Sequence, residues 1–235
     1  MTAPHHDLVH AVRGELARHT DPERAVGQQR YMKSALPYRG LTTPLLRAVV
    51  RPLLADEGYA MASAGEWEAT IRALWDESAY REEWYAAIAL ARHRPYRRWV
   101  DSASMPLWRH LVVTGAWWDV VDDVATHLVR DVRVGAPEVE GLRLREWAES
   151  DDLWLRRTAI VSQVGLKAGV DQDLLVDTIE PNLGDRDFFI RKAIGWALRD
   201  HARVDPDWVR RFVADHDSEL SGLSRREATR HLTAE

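Results

Sequence analysis

Cysteine is absent from the 235 residues of this chain. Its absence excludes disulfides, cysteine-ligated zinc sites and thiol nucleophiles, and it is compatible with a reducing cytoplasm. Long apolar runs are missing too, because no stretch approaches the roughly 20 residues of a membrane span, and the N-terminal sequence MTAPHHDLVHAVRGEL has no apolar signal-peptide core. No metal-binding or nucleotide-binding motif is present. We therefore expect a cytoplasmic protein without metal or cofactor that does not enter membranes.

The alternation of apolar and polar residues that is typical of β-strands is also missing, and helical spacing dominates from end to end. Asp21 before Pro22, and Thr43 before Pro44, have the cap-plus-proline signature of helix starts. The helix that begins at Pro22 is predicted to continue to about Leu36. A preceding amphipathic helix is predicted by Leu8, Val9, Val12 and Leu16. Further helices are predicted to begin near Gly65, Tyr80, Gly115, Pro137, Asp152, Asp171, Asp187, Pro206 and Leu223.

A repeat of about 35 residues is visible in the second half of the chain. The sequence Trp154-Leu155-Arg156-Arg157 matches Phe189-Ile190-Arg191-Lys192 at a shift of 189 − 154 = 35, and Trp84-Tyr85 lies 154 − 84 = 70 residues upstream. Two helices per period are typical of stacked helix pairs, whose curved arrays bind extended ligands on a concave surface. Since no linker interrupts the series, we predict one all-α domain, 1–235, with the architecture of a helical solenoid.

The stretch Trp117–Asp123 places two indoles and three carboxylates at the start of one predicted helix. On a helical wheel, Asp119 and Asp123 fall on the solvent side, while Trp118 and Asp122 lie four residues apart on a shoulder of the apolar face. The core face is formed by Trp117, Val121, Val124 and Leu128. Asp122 is thereby placed like a residue on the wall of a groove, although a packed tryptophan followed by a solvated aspartate gives the same pattern.

Four further side chains lie where packing alone does not place them. Arg157 interrupts an apolar stripe, so it is either salt-bridged in the core or projects into a cleft. In the helix after Asp187, Lys192, Trp196 and Arg199 share the side away from the core. An indole between two cations suits a polyanion such as DNA, and a neighbouring helix that covers Trp196 is the alternative.

A basic segment contrasts with the net charge of −5, which argues mildly against a nucleic-acid-binding protein. Between Arg92 and Arg109, Asp101 is the only acidic residue. The basic residues of this segment are Arg92, His93, Arg94, Arg97, Arg98 and Arg109. A surface that contacts phosphates and a solvated arginine-rich loop are both open interpretations.

Five stretches in the same order carry a family resemblance over nearly the whole chain. They are Arg30-Tyr31-Met32-Lys33 with Gly40-Leu41-Thr42-Thr43-Pro44, Trp117-Trp118-Asp119-Val120-Val121-Asp122, Asp152-Leu153-Trp154-Leu155-Arg156-Arg157, Phe188-Phe189-Ile190-Arg191-Lys192-Ala193-Ile194-Gly195-Trp196, and Leu220-Ser221-Gly222-Leu223-Ser224-Arg225-Arg226-Glu227-Ala228. Together they resemble DNA alkylation repair glycosylases of the AlkD type, which are single-domain proteins of HEAT-like helix pairs. The resemblance implies an α-α superhelix with a concave DNA-binding groove.

The resemblance also implies residue roles. Asp122 is the expected catalytic carboxylate, Trp118 and Trp196 are the aromatic walls beside it, and Arg157 meets the DNA backbone at the lesion. Contacts to DNA are expected from Arg157, Tyr31, Lys33, Thr42, Thr43, Lys192 and Arg199. Thr42 stands where a longer polar side chain can occur in the family.

The implied reaction is hydrolysis of the N-glycosidic bond of positively charged N3- or N7-alkylated purines, 3-methyladenine and 7-methylguanine, in duplex DNA. The expected partner is double-stranded DNA with alkylated bases, bound by a monomer associated with the nucleoid. Two alternatives remain open: the same chemistry devoted to bulky natural-product adducts for self-resistance, and a helical-repeat scaffold that binds DNA or protein without catalysis.

Overall fold

The computed structural model describes residues 2–232, of which none lies in a β-strand. Helices account for 73% of the structure, so the predicted all-α class of stacked helix pairs is confirmed. By its internal contacts the chain divides into two compact units, Met1–Val100 and Asp101–Glu235. The single domain, 1–235, that the sequence indicates stays a prediction.

Over residues 2–100, the N-terminal unit consists of five α-helices and two 3-10 turns. The helices are α1 (His6–Arg18), α2 (Pro22–Met32), α3 (Thr43–Ala55), α4 (Ala64–Asp76) and α5 (Arg81–Ala91), and the turns are Glu57–Tyr59 and Arg94–Trp99. The four apolar residues predicted for the inner face of α1 are all buried. Helix α2 ends at Met32 and not at Leu36, because Lys33 takes a left-handed conformation with φ of 49° that stops the helix.

Within residues 101–232, the C-terminal unit contains nine α-helices. They are α6 (Met105–Gly115), α7 (Trp118–Asp123), α8 (Arg130–Gly135), α9 (Pro137–Ala148), α10 (Leu153–Val161), α11 (Gln172–Ile179), α12 (Phe188–His201), α13 (Pro206–Asp215) and α14 (Gly222–Ala228). Short 3-10 turns span Ser102–Ser104, Lys167–Gly169 and Glu180–Asn182. A π-helical segment, Val124–Val129, joins α7 to α8, so that a long helix with one wide turn begins at Trp118.

The 35-residue repeat is present in this unit as a spacing of helix starts. Helices α7, α10 and α12 begin at residues 118, 153 and 188, which are 153 − 118 = 35 and 188 − 153 = 35 residues apart. Helix α10 packs against both α7 and α12. Trp84, by contrast, is the fourth residue of α5, whereas Trp154 is the second residue of α10, so the 70-residue match does not fall at equivalent helix positions.

Helix α14 packs closely on α12 at Gly195. A Cβ atom added at Gly195 would lie 2.5 Å from Cβ of Glu227 and 3.0 Å from the backbone oxygen of Ser224. The Ser224 hydroxyl also donates a hydrogen bond to the backbone oxygen of Arg191, 2.9 Å away. Glycine at this position therefore sets the separation of the two helices.

We expect Gly195→Ala to lower the free energy of unfolding by about 1–3 kcal/mol, the usual cost of overpacking a close contact. Gly14→Ala is the matched control, because no atom outside its own helix would lie within 4 Å of a Cβ added there. That substitution should stabilise the protein by roughly 0.5–1 kcal/mol through helix propensity. Chemical denaturation of the two variants checks the prediction, which fails if both shift in the same direction.

Candidate functional site

The carboxylate of Asp122 on α7 forms a bidentate ion pair with the guanidinium of Arg157 on α10. The Nε and Nη2 atoms of Arg157 donate to Oδ1 and Oδ2 of Asp122, each at 2.7 Å. The Arg157 side chain is 6% exposed and that of Asp122 is 18% exposed. Of the two interpretations of Arg157, the structure therefore shows the salt-bridged arginine, and its partner is the carboxylate predicted to be catalytic.

The repeat explains why these two side chains meet. Asp122, Arg157 and Lys192 are each the fifth residue of their helices and are separated by 157 − 122 = 35 and 192 − 157 = 35 positions. Equivalent positions on neighbouring stacked helices face each other. The ion pair is thus a contact between adjacent repeats.

Burial raises the pKa of Asp122 above its usual range, while the hydrogen bonds and charge of Arg157 oppose that shift. The neighbouring carboxylates of Asp119 and Asp123 raise the pKa further. These two neighbours are both partly buried, and Asp123 lies 3.0 Å from Nδ1 of His127. Both therefore keep part of their surface exposed, on the side of α7 that the helical wheel assigns to solvent.

Arg157 is fixed by a third hydrogen bond, from Nη1 to the backbone oxygen of Phe189 at 2.6 Å. Phe189 belongs to an aromatic cluster at the N-terminal ends of three helices. Its ring centre lies 5.4 Å from that of Trp117, 5.0 Å from that of Trp154 and 5.6 Å from that of Phe188. The cluster holds the helix starts together, and with them the carbonyl that orients Arg157.

The two tryptophans predicted as aromatic walls are in different surroundings. Trp118 is the first residue of α7, one turn before Asp122, and is partly buried. Trp196 on α12 is also partly buried and packs against the hydrophobic core of the C-terminal unit. The prediction that Trp196 points away from the core is wrong, because this residue lies at the border of the apolar face, beside the buried Ala193.

Lys192 and Arg199 are both paired with Glu227 of α14. Nζ of Lys192 lies 3.0 Å from Oε1 of Glu227, and Nη1 of Arg199 donates to Oε2. These contacts lower the pKa of Glu227, with the Lys192 hydrogen bond as the largest cause. The sequence predicted that Lys192 and Arg199 form an open basic stripe. Instead, α14 packs on this side of α12, and its carboxylate forms ion pairs with both cations.

In the N-terminal unit, four predicted DNA contacts lie at the surface around one loop. Tyr31 is 75% exposed, Lys33 ends α2, and Thr43 begins α3. Thr42 caps α3 by accepting a hydrogen bond from the backbone N–H of Leu45 at 3.4 Å. All four side chains face solvent or lie at helix ends, where a ligand can reach them.

The buried carboxylate of Glu82 holds this loop from below. It is 0% exposed and accepts hydrogen bonds from the backbone N–H groups of Arg39, Gly40 and Leu41 at 2.9–3.2 Å. Gly40 has φ of +94°, and a Cβ atom there would lie 2.1 Å from the backbone oxygen of Asp21, so only glycine fits. The loop is therefore fixed in the free protein.

Three of these supporting residues were missed by reasoning from the sequence: Glu82, Phe189 in its carbonyl role, and Glu227. A 35-residue step from Asp122 would have found Arg157 as its partner. A glycine inside α12 signals close helix packing, but it does not reveal that Glu227 arrives with the packed helix. For Glu82, neither a repeat spacing nor a nearby glycine in the sequence predicts that it holds the loop.

No group of three or more histidine, aspartate or glutamate side chains is placed to hold a metal ion within residues 2–232. Over the same range, every helix is too short or too polar to cross a membrane.

Helix pairs stacked at a 35-residue period, joined by an ion pair between equivalent positions, define the chain as a helical-repeat protein. The family model described as DNA alkylation repair enzyme matches residues 12–232. A solved structure, described as a predicted DNA alkylation repair enzyme from Enterococcus faecalis, superposes with a TM-score of 0.81. It is 27% identical in sequence over 92% of this chain and 98% of its own. No curated protein matches the sequence significantly.

The chain belongs to the DNA alkylation repair enzyme family. The predicted resemblance is thereby confirmed. Membership makes the protein an enzyme of DNA repair with DNA as its substrate.

Proposed function

We propose that this protein is a DNA glycosylase that hydrolyses the N-glycosidic bond of positively charged N3- or N7-alkylated purines in duplex DNA. The observation that carries the proposal is the carboxylate of Asp122, which is held by two hydrogen bonds from Arg157 and yet remains 18% exposed. A carboxylate that only completes a core ion pair has no need of an opening to solvent.

The chemistry of the substrate explains why one carboxylate suffices. Alkylation at N3 or N7 gives the purine a positive charge, so the base leaves without protonation by a general acid. Departure of the base leaves an oxocarbenium-like deoxyribose, whose positive charge a nearby carboxylate stabilises. The same carboxylate can accept a hydrogen bond from the attacking water and so orient it.

The ion pair with Arg157 is compatible with this role. A carboxylate offers about four lone-pair positions, and a bidentate arginine uses one on each oxygen. The remaining positions of Asp122 can accept hydrogen bonds from water on its exposed side. Arg157 meanwhile fixes the orientation of the carboxylate and counteracts the burial that favours its protonated form. We therefore infer that Arg157 acts as a positioning residue for Asp122.

The aromatic side chains complete the proposed site. Trp118, one helical turn before Asp122, can pack against the deoxyribose and the cationic base, since an indole face attracts a positive charge. We propose the same role for Trp196, although its packing against the core leaves only part of the ring available. A mutation of Trp196 should therefore affect stability as well as excision.

Contacts to the DNA backbone are proposed in each unit. Arg157 uses three of its five N–H donors on Asp122 and Phe189, which leaves two for a phosphate. In the N-terminal unit, we propose contacts from Tyr31, Lys33, Thr42 and Thr43. Binding to undamaged duplex should be weak, independent of sequence and salt-dependent, because such contacts reach phosphates and not base edges.

Glu227 should weaken DNA binding, because it neutralises Lys192 and Arg199 in the free protein. We expect Glu227→Gln to raise the affinity for undamaged duplex DNA several-fold at low salt and to make binding more salt-dependent, since two cations become available to phosphates. Fluorescence anisotropy with a labelled duplex, at several salt concentrations, measures both effects.

Glu180→Gln is a suitable control for this experiment. Glu180 carries the same charge, has a side chain that is 49% exposed, and lies with its Oε1 atom 3.5 Å from Nε2 of His216. An equal gain in affinity in both variants would reflect the change in net charge alone. No gain in Glu227→Gln would show that Lys192 and Arg199 do not reach DNA.

Release of 7-methylguanine from methylated duplex DNA tests the proposed function directly. We expect the free base to accumulate with time and to require the intact protein, which we propose acts as a monomer. Binding of methylated DNA without release of any base would instead support a non-catalytic scaffold.

A further inference from the structure

A cluster of exposed arginines lies at the end of α5, outside the site described above. The 3-10 turn Arg94–Trp99, here named the basic turn, contains three exposed arginines. The chain has no acidic residue between Glu83 and Asp101. In a protein with a net charge of −5, this turn is therefore a local concentration of positive charge.

The basic turn is rigidly anchored by its aromatic residues. The hydroxyl of the buried Tyr96 accepts a hydrogen bond from the backbone N–H of Met61 at 3.0 Å. The rings of Tyr96 and Trp99 stack at 5.1 Å with an interplanar angle of 4°, and Trp99 lies 5.9 Å from Trp67. Residues three apart eclipse in a 3-10 helix, so these two rings form one face of the turn and leave the other faces exposed.

Two of the arginines present their charges to solvent. Arg94 and Arg98 are exposed, and neither has a carboxylate partner within the part of the chain that the structure describes. The guanidinium of Arg98 lies 4.7 Å from the ring centre of Trp99, which holds it in place. Arg92 and Arg97 each interact with other residues of the chain. The uncommitted positive charge of the basic turn therefore belongs to Arg94 and Arg98.

The position of the basic turn separates it from the loop that carries Thr42 and Thr43. Glu82, in the first turn of α5, holds that loop, whereas the basic turn follows the last turn of the same helix. Helix α5 has 11 residues, so the two features are separated by about 16 Å along its axis. For a duplex that runs parallel to α5, this distance would span roughly five base pairs, at about 3.4 Å per step.

We propose that the basic turn is a second contact to the DNA backbone, in which Arg94 and Arg98 bind phosphates of the undamaged duplex several base pairs away from those reached by the Thr42 loop. This inference rests on the proposed function, in which duplex DNA is the ligand. Arginine suits the role because its planar fork binds phosphate oxygens in pairs. The anchored turn also loses little conformational freedom on binding.

The salt dependence of binding tests the proposal. Each phosphate contact contributes roughly 0.9 to the slope of log K against log salt concentration. For an undamaged duplex of about 25 base pairs, we expect the double variant Arg94→Gln/Arg98→Gln to lower the magnitude of this slope by about 1.8 relative to the parent protein. The measurement needs no base release, so failure of the glycosylase proposal would leave its outcome interpretable.

Two control variants separate local contact from net charge. The double variant Arg203→Gln/Arg211→Gln removes two exposed charges of the C-terminal unit and should leave the slope unchanged. The variant Arg94→Lys/Arg98→Lys keeps both charges of the basic turn and should retain the parent slope. The proposal is overturned if the Arg94→Gln/Arg98→Gln slope equals that of the parent, or if Arg203→Gln/Arg211→Gln lowers the slope as much. Unfolding curves of all variants should lie close to that of the parent, because the substituted side chains are exposed and the contact of Arg98 with Trp99 is a weak interaction at such a site.

Discussion

Asp122→Asn is expected to lower the rate of excision of 3- or 7-methylpurines by roughly 100- to 1000-fold, the scale found when one preorganised electrostatic stabiliser is lost. The amide has the shape of the carboxylate and can still hold a water molecule. It cannot offset the positive charge that develops on the deoxyribose, so the loss should appear in the chemical step. Single-turnover release of 7-methylguanine, with DNA affinity measured in parallel, checks this separation.

The ion pair adds a consequence for stability. In Asp122→Asn, one side-chain oxygen still accepts from Arg157, but the amide nitrogen faces the second N–H donor, which is left unsatisfied in a nearly buried position. Such a group costs about 1–3 kcal/mol. A small fall in the free energy of unfolding should therefore accompany the loss of activity, and single-turnover rates should be measured well below the unfolding midpoint.

Asp123→Asn is the matched control, since it removes the same charge from the adjacent residue. Its side chain is 34% exposed, and its Oδ1 atom lies 3.0 Å from Nδ1 of His127. Excision by this variant should stay near that of the parent. A parent-like rate in Asp122→Asn, or an equal loss in both variants, would contradict the assignment of Asp122 as the catalytic carboxylate.

The starts of α10 and α12 could be predicted because each of these helices begins with a strong local signal. Asp152 and Asp187 cap α10 and α12 with their side chains. The two residues lie one 35-residue repeat apart in the sequence. The end of α2 could not be predicted, because Lys33 has a left-handed conformation that favours glycine and asparagine. A lysine in the sequence does not predict such a conformation.

The candidate site was predictable only as far as single helices determine it. A helical wheel correctly placed Arg157 among buried residues, but it gives the face of a helix and not what packs against that face. Two interpretations of Arg157 therefore remained until the structure paired it with Asp122. The same limit explains Lys192 and Arg199. The helical wheel puts them on the side of α12 away from the core, but it cannot show that α14 packs on that side.

Arg157→Ala is expected to lower the rate of excision at neutral pH by at least about 100-fold. It should also shift the pH profile of the remaining activity to higher pH. Burial raises the pKa of Asp122, and Arg157 is the group that opposes this shift. Without Arg157, the carboxylate should bind its proton more tightly. Because the reaction needs the anion, activity falls as the pH drops through the pKa of Asp122, and a higher pKa moves that fall to higher pH.

The measurement is single-turnover excision as a function of pH for the parent, Arg157→Ala, Arg157→Lys and Arg156→Ala. Arg156 is the matched control, because it is adjacent in sequence but pairs with Asp185, with Nη2 of Arg156 and Oδ2 of Asp185 3.0 Å apart. Arg156→Ala should keep the parent profile, and Arg157→Lys should lie between the parent and Arg157→Ala, since lysine restores the charge without the two-pronged geometry. A role for Arg157 in binding DNA alone would weaken affinity without moving the pH profile. An unshifted profile in Arg157→Ala, with the protein folded and saturated with DNA, would therefore exclude Arg157 as the residue that keeps Asp122 ionised.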